Sequence, residues 1–113
     1  MGKSALEQTF INLWKIYYPE IILTPDLKII PQRQFRYDFV HCPTKVAIEI
    51  QGGTYGRSRQ GHSSGVGLDR DYEKNNLALI NGYLVFQLSC KMITPTWLEK
   101  IKDVILSRLE NNT

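Results

Sequence analysis

Residues 35–53 read Phe-Arg-Tyr-Asp-Phe-Val-His-Cys-Pro-Thr-Lys-Val-Ala-Ile-Glu-Ile-Gln-Gly-Gly, and this stretch predicts a β-hairpin. Two runs rich in aromatic and β-branched residues, 35–40 and 45–50, flank a turn at residues 42–44 that contains a proline. Asp38 and Glu49 interrupt these otherwise apolar runs. Because a carboxylate inside a strand is costly to desolvate without a partner, the two acids indicate a site for a cation, such as a divalent metal ion.

The second run of the hairpin separates polar from apolar side chains. Successive side chains of a strand point to opposite faces, so Glu49 and Gln51 share a face with Ala47, and the aliphatic residues of even number occupy the other. A structural alternative is an ion pair across the hairpin between Glu49 and either Lys45 or Arg36. The metal site and the ion pair predict different neighbours for Glu49.

Length and composition predict one soluble globular domain covering residues 1–113. Of the 113 residues, 42% are apolar and 22% are charged, and no apolar run is long enough to span a membrane. We expect no signal peptide and a cytoplasmic location, in a bacterial or phage-infected cell, with Cys42 and Cys90 reduced and in the core. A zinc site formed by these cysteines with His41 and His62 is an alternative without a local ligand motif. The net charge of +3 permits nucleic-acid binding without requiring it.

The segments around the hairpin predict the order α-β-β-α-β-α. Ser4 and Glu7 form a capping-box pattern before a helix that ends near Pro19, and residues 20–32 form a connection with room for a short strand. A second helix is expected to open at Asp69 or Asp71 and to run to about residue 81, before Gly82, a buried strand at 83–89 and a last helix capped by Thr94 or Thr96. The predicted inner side of the second helix consists of Tyr72, Asn76, Leu79 and Ile80.

Residues 52–67 form an unusual segment, with six glycines among sixteen residues. Glycine allows a backbone to approach a ligand closely, and a long loop in a compact domain often has a function. Arg57, Arg59 and His62 are suited to phosphate, and Tyr55 is suited to stacking on a base or sugar. A solvated loop without a ligand is the alternative.

The spacing of these features resembles the PD-(D/E)XK nuclease superfamily. The pattern is Asp38, ten residues, and then Glu49-Ile50-Gln51, a Glu-x-Gln variant. Residues 52–76 are similar to small phage and bacterial proteins of the VRR-NUC group. The resemblance implies a restriction-endonuclease-like α/β core, with a central mixed sheet flanked by helices. It also implies an Mg²⁺- or Mn²⁺-dependent DNA endonuclease. Some relatives prefer branched or junction DNA, so the resemblance also raises this possible substrate.

The same resemblance assigns roles to individual residues. Asp38, Glu49 and the carbonyl of Ile50 would hold the metal, and Glu7 would hold a second metal or orient a water. The motif has two departures here, because Tyr37 stands before Asp38 instead of proline and Gln51 stands where lysine is usual. Gln51 would then orient the water and Lys74 would supply the missing cation. The residues expected to contact DNA are Arg36, Tyr55, Arg57, Arg59, His62 and Arg70.

Two other functional classes compete with the nuclease. A catalytically weakened nucleic-acid-binding module of the same fold is the first alternative, and it is motivated by Gln51. The second is an interaction protein that uses its amphipathic helices. Since a domain of this size covers little DNA, cutting of both strands favours a homodimer.

Overall fold

The structure, a computed structural model, describes residues 4–51 and 65–111. These residues form a mixed α/β fold in which three helices surround a four-stranded sheet. Short 3₁₀ turns follow the second and fourth strands, at Cys42–Thr44 and Cys90–Met92. In chain order the helices and strands are α1 (Ala5–Tyr17), β1 (Thr24–Leu27), β2 (Tyr37–His41), β3 (Val46–Ile50), α2 (Gly65–Ile80), β4 (Leu84–Leu88) and α3 (Pro95–Asn111).

The sheet is mixed, with the strand order β1-β2-β3-β4. Strands β1, β2 and β3 pair antiparallel, whereas β3 and β4 run parallel because α2 connects them. The predicted hairpin is therefore present as β2 and β3. The room left for a strand in residues 20–32 is filled by β1, which pairs Pro25 with Phe39.

The two faces of the sheet are covered by different helices. Phe10 and Trp14 of α1 pack with Phe39, Ile48 and the buried face of α3 in the larger core. On the other face, the smaller core joins Tyr37, Val40 and Ala47 to Ala78 of α2. The alternation expected for the second strand is thus observed, since Ile48 and Ala47 belong to different cores. Glu49 shares its face with Ala47 and so points toward α2.

Both predicted helix starts outside α2 have their capping contacts. Ser4 Oγ accepts a hydrogen bond from the Glu7 N–H at 3.1 Å, and Thr94 Oγ1 accepts one from the Trp97 N–H at 3.3 Å. The indole N–H of Trp14 donates to the Ile21 carbonyl at 2.9 Å, which ties the end of α1 to the segment before β1. Gly82 has a φ of 86°, as expected for the residue that ends α2.

Helix α2 differs from its prediction in two ways. It begins at Gly65, before Asp69 and Asp71, and Ala78 is buried in it, with Leu77 packed against the same core. Ala78 is fully buried, whereas Ile80 is 78% exposed. Ala78 is small and shares the smaller core with Ala47 of the sheet, so the most apolar side chains of the helix did not mark its inner face. All four residues that the sequence predicted on the inner side are exposed, namely Tyr72, Asn76, Leu79 and Ile80.

Two predictions of burial are also wrong. Cys42 and Cys90 are free thiols at exposed positions, because each begins a 3₁₀ turn beyond the end of a strand. The strand predicted to be buried, β4, lies at an edge of the sheet and only Leu88 is buried in it. None of the helices in the described part of the chain is long and apolar enough to cross a membrane.

Candidate active site

Asp38 and Glu49 meet where strands β2 and β3 stop pairing. The last paired positions are Phe39 and Ile48, and one further step in that register places Asp38 opposite Glu49. Beyond this point the Asp38 carboxylate takes the place of a strand partner, because Oδ2 accepts the backbone N–H of Ile50 at 2.7 Å. The two acids predicted from the hairpin spacing are therefore neighbours on adjacent strands.

Glu49 is a largely buried carboxylate with a cation beside it. Its side chain is 14% exposed, and Oε2 lies 2.5 Å from Lys74 Nζ of α2. Among the residues described, this buried oxygen accepts no hydrogen bond of ordinary geometry, so the contact is an ion pair. Burial raises the pKa of Glu49, and the charges of Asp38 and Asp71 raise it further, while the Lys74 ammonium opposes the shift. The site favours positive charge at this oxygen.

Lys74 is held by three groups that lie in strands β2 and β3 or directly before β2. Its Nζ donates to the Arg36 carbonyl at 2.8 Å, lies 4.5 Å from the centre of the Tyr37 ring and pairs with Glu49. The Tyr37 hydroxyl donates in turn to the Lys74 carbonyl at 3.0 Å. The alternative ion pair of Glu49 within the hairpin is wrong, because Lys45 Nζ donates to the Asn81 carbonyl and the Arg36 guanidinium pairs with an aspartate of β1.

The ion pair opens onto a cleft of about 430 Å³ between α2 and the sheet. Gln51 lies at its edge, exposed, with its backbone N–H donating to the Leu88 carbonyl at 2.8 Å. Asp71 and Tyr72 also line the cleft, and the sequence did not single them out as site residues. Asp71 could have been found from Lys74, because residues three apart on a helix share a face. Polar groups of both signs therefore converge on one open surface.

The described carboxylates suit a hard cation better than zinc. Within residues 4–51 and 65–111, no group of three His, Cys, Asp or Glu side chains could hold a metal, so an ion at Asp38 and Glu49 would have two carboxylate ligands from these residues. Mg²⁺ commonly binds through one or two carboxylates and keeps several waters. The zinc alternative gains no support, since both cysteines are exposed and the buried His41 Nδ1 is hydrogen-bonded to Thr44 Oγ1 at 2.7 Å.

The remaining predicted residues lie farther out or outside the described chain. Glu7 lies in the first turn of α1, and this helix packs on the sheet face opposite to Glu49. Arg36 and Arg70 are exposed, the first beside the Lys74 contact and the second one turn before it on α2. The other predicted DNA contacts fall outside the described residues, namely Tyr55, Arg57, Arg59 and His62.

Comparison with solved structures identifies the fold. The chain superposes on the catalytic domain of the homing endonuclease I-Bth0305I with a TM-score of 0.68, covering 94% of this chain and 98% of that domain. The fold is that of a nuclease domain. Sequence identity is 15%, so the likeness concerns the course of the backbone and not individual residues. No protein-family model and no curated protein matches the sequence.

Proposed function

We propose that this protein is a metal-dependent DNA endonuclease that hydrolyses phosphodiester bonds. One observation carries the proposal: Glu49 and Lys74 form an ion pair in an open cleft, with Asp38 opposite Glu49 on the neighbouring strand, in a fold shared with a homing endonuclease catalytic domain. Two acids and a cation at one point match the needs of phosphodiester hydrolysis, in which negative charge builds up on the phosphate oxygens.

Asp38 and Glu49 would hold an Mg²⁺ or Mn²⁺ ion together with the backbone carbonyl of Ile50. The N–H and C=O of one strand residue face the same neighbouring strand, so the Ile50 carbonyl lies on the side where its N–H meets Asp38. The buried Glu49 oxygen without a hydrogen bond of ordinary geometry is a suitable ligand for such an ion. When bound, the metal would lower the pKa of a water ligand and stabilise the charge that develops on the phosphate.

The other residues of the cleft would act on the substrate directly. Lys74 would place a point charge against a phosphate oxygen, which the neutral side chain of Gln51 cannot do. Gln51 would orient the attacking water through its amide. Arg36 and Arg70 would bind the DNA backbone, together with Tyr55, Arg57, Arg59 and His62.

Cleavage of DNA by wild-type protein and by two matched variants tests the proposal. The substrates are supercoiled plasmid and linear, nicked, flapped and four-way DNA, each with Mg²⁺ or Mn²⁺. Glu49→Gln should abolish cleavage, because the ligand charge is lost while the shape remains. Glu73→Gln should retain it, since that exposed acid pairs with Arg33 on the outside of α2. Equal cleavage by wild-type and Glu49→Gln protein would refute the proposal.

A nucleic-acid-binding module with weakened catalysis is the second candidate. It is favoured by Gln51 in place of lysine, and by the Lys74 ammonium that already neutralises Glu49. Calorimetric titration with Mn²⁺ separates the two candidates. The nuclease should show a heat of Mn²⁺ binding that Asp38→Asn reduces, whereas the binding module should bind DNA in a salt-sensitive manner without such a signal. We also propose a homodimer. Sedimentation of the protein–DNA complex, which measures how many chains bind one DNA molecule, tests it.

A further inference from the structure

We propose that Tyr37 is the positioning residue for Lys74, with its ring serving as a platform for the ammonium and its hydroxyl as an anchor for helix α2. The role of Lys74 in cleavage rests on the proposed function, but the contact itself does not. Tyr37 directly precedes Asp38 in β2.

The Tyr37 side chain contacts Lys74 both at its backbone carbonyl and at its ammonium. Tyr37 is 1% exposed, and its ring centre lies 4.5 Å from Lys74 Nζ, within the range of a cation–π interaction. Its hydroxyl reaches the backbone carbonyl of the same lysine at 3.0 Å. A lysine side chain is a flexible four-carbon stem that carries a compact charge, so holding both ends limits where that charge can lie.

The contact between the Tyr37 ring and Lys74 does not involve Glu49, so it could keep Lys74 in the site while Glu49 binds a metal ion. If Glu49 alone held the ammonium, any cation bound to that carboxylate would release Lys74 from the site. The Tyr37 ring and the Arg36 carbonyl at 2.8 Å both stay in place when Glu49 turns to another cation. An ammonium has three donors, so it can keep the Arg36 contact and still offer hydrogen bonds to a phosphate.

The Tyr37 hydroxyl, which donates to the Lys74 carbonyl, joins helix α2 to strand β2. Because Tyr37 and Asp38 are consecutive in β2, this link sets the position of Lys74 relative to the carboxylate that holds the Ile50 N–H.

Nuclear magnetic resonance of metal-free protein with labelled lysines tests the contact without any need for activity. The ε-methylene protons of Lys74 should resonate upfield in the wild type because of the Tyr37 ring current. Tyr37→Leu should return them to the ordinary lysine position, whereas Tyr37→Phe should keep the shift. Tyr83→Leu is the matched control: it removes a ring 5.6 Å from Lys45 Nζ, outside the cleft, and should leave Lys74 unchanged.

Cleavage kinetics test the consequence. Tyr37→Leu should lower kcat roughly 3- to 30-fold with KM unchanged, the size of a partly desolvated cation–π contact. Tyr37→Phe should restore most of the loss, and in a Lys74→Ala background Tyr37→Leu should have no further effect. A structural role alone would lower activity equally in both backgrounds.

An unchanged Lys74 resonance in folded Tyr37→Leu protein would overturn the proposal. Should that variant fail to fold, phenylalanines of increasing fluorination at position 37 keep the ring size while weakening its attraction for a cation, and kcat should fall in step. A constant kcat across that series would overturn the proposal equally. Cleavage without the upfield shift refutes the platform and leaves the nuclease standing. The shift without cleavage refutes the nuclease and supports the contact.

Discussion

Replacing Lys74 by methionine should move metal binding and catalysis in opposite directions. Lys74 Nζ and Glu49 Oε2 are 2.5 Å apart, and their side chains are 21% and 14% exposed. An incoming divalent cation must therefore share Glu49 with a positive charge already in place. The variant removes that repulsion and keeps an unbranched side chain of similar length over the Tyr37 ring.

The magnitude follows from Coulomb's law. A unit charge and a divalent charge at about 4 Å interact with roughly 2 kcal/mol in water and roughly 8 kcal/mol at an effective dielectric constant of about 20. Because these side chains are partly exposed we take the lower end, about 2 kcal/mol, which corresponds to Mn²⁺ binding roughly 30-fold more tightly. Cleavage should fall in the same variant, because the phosphate of the substrate would lose the positive charge of Lys74 beside it.

Calorimetric titration with Mn²⁺ at mildly alkaline pH and low salt measures the change in affinity. Lys28→Met is the control, since this exposed lysine contacts Gln34 outside the cleft and should leave Mn²⁺ binding as in the wild type. Weaker or unchanged Mn²⁺ binding in folded Lys74→Met protein would refute the electrostatic reasoning. Unchanged cleavage would refute the assignment of Lys74 to the reaction.

Three further predictions concern stability. The folded-state pKa of Glu49 lies above the usual 4.5, so in metal-free buffer the wild type should lose stability relative to Glu49→Gln as pH rises from about 4.5 through the raised value. Arg108 Nη1 donates to the Thr44 carbonyl at 2.7 Å, and Arg108→Gln should cost about 1–3 kcal/mol in urea unfolding. Ala78→Leu should cost about 1–3 kcal/mol by overpacking the contact between α2 and the sheet.

Each stability prediction has an outcome that contradicts it. A wild type that gains stability over Glu49→Gln across that pH interval would mean that the Lys74 ammonium outweighs burial. An Arg108→Gln midpoint equal to that of the wild type would mean that water replaces the lost bond. An Ala78→Leu protein as stable as the wild type would mean that α2 can move away from Ala47 without loss.

The hairpin could be predicted from the sequence because its signals are local. The alternation of side chains along residues 45–50 predicted that Glu49 lies on the face opposite to Ile48. The turn at residues 42–44 predicted the strand pairing that places Asp38 next to Glu49. Lys74 was selected through a resemblance, and the structure places its ammonium against Glu49. These features depend on contacts within one hairpin and on one helix that follows it.

The inner face of α2 could not be predicted in the same way. Ala78 of this helix packs against the sheet and is fully buried. Ile80 is exposed although it is more apolar. Asp71 lines the cleft because this packing sets the rotation of the helix about its axis. The exposure of Cys42 and Cys90 likewise depends on where strands end, which hydrophobic character does not mark.

The hydrogen bond from the Ile50 N–H to Asp38 Oδ2 gives this aspartate a structural role besides its proposed role in metal binding. It ends the β2–β3 ladder much as a capping residue ends a helix, by supplying a side-chain oxygen where backbone partners run out. Alanine at this position would therefore damage the sheet and the chemistry together, and the inactivity of such a variant would say nothing of catalysis. Asparagine keeps an oxygen for the Ile50 N–H, so Asp38→Asn is the substitution that separates architecture from reaction.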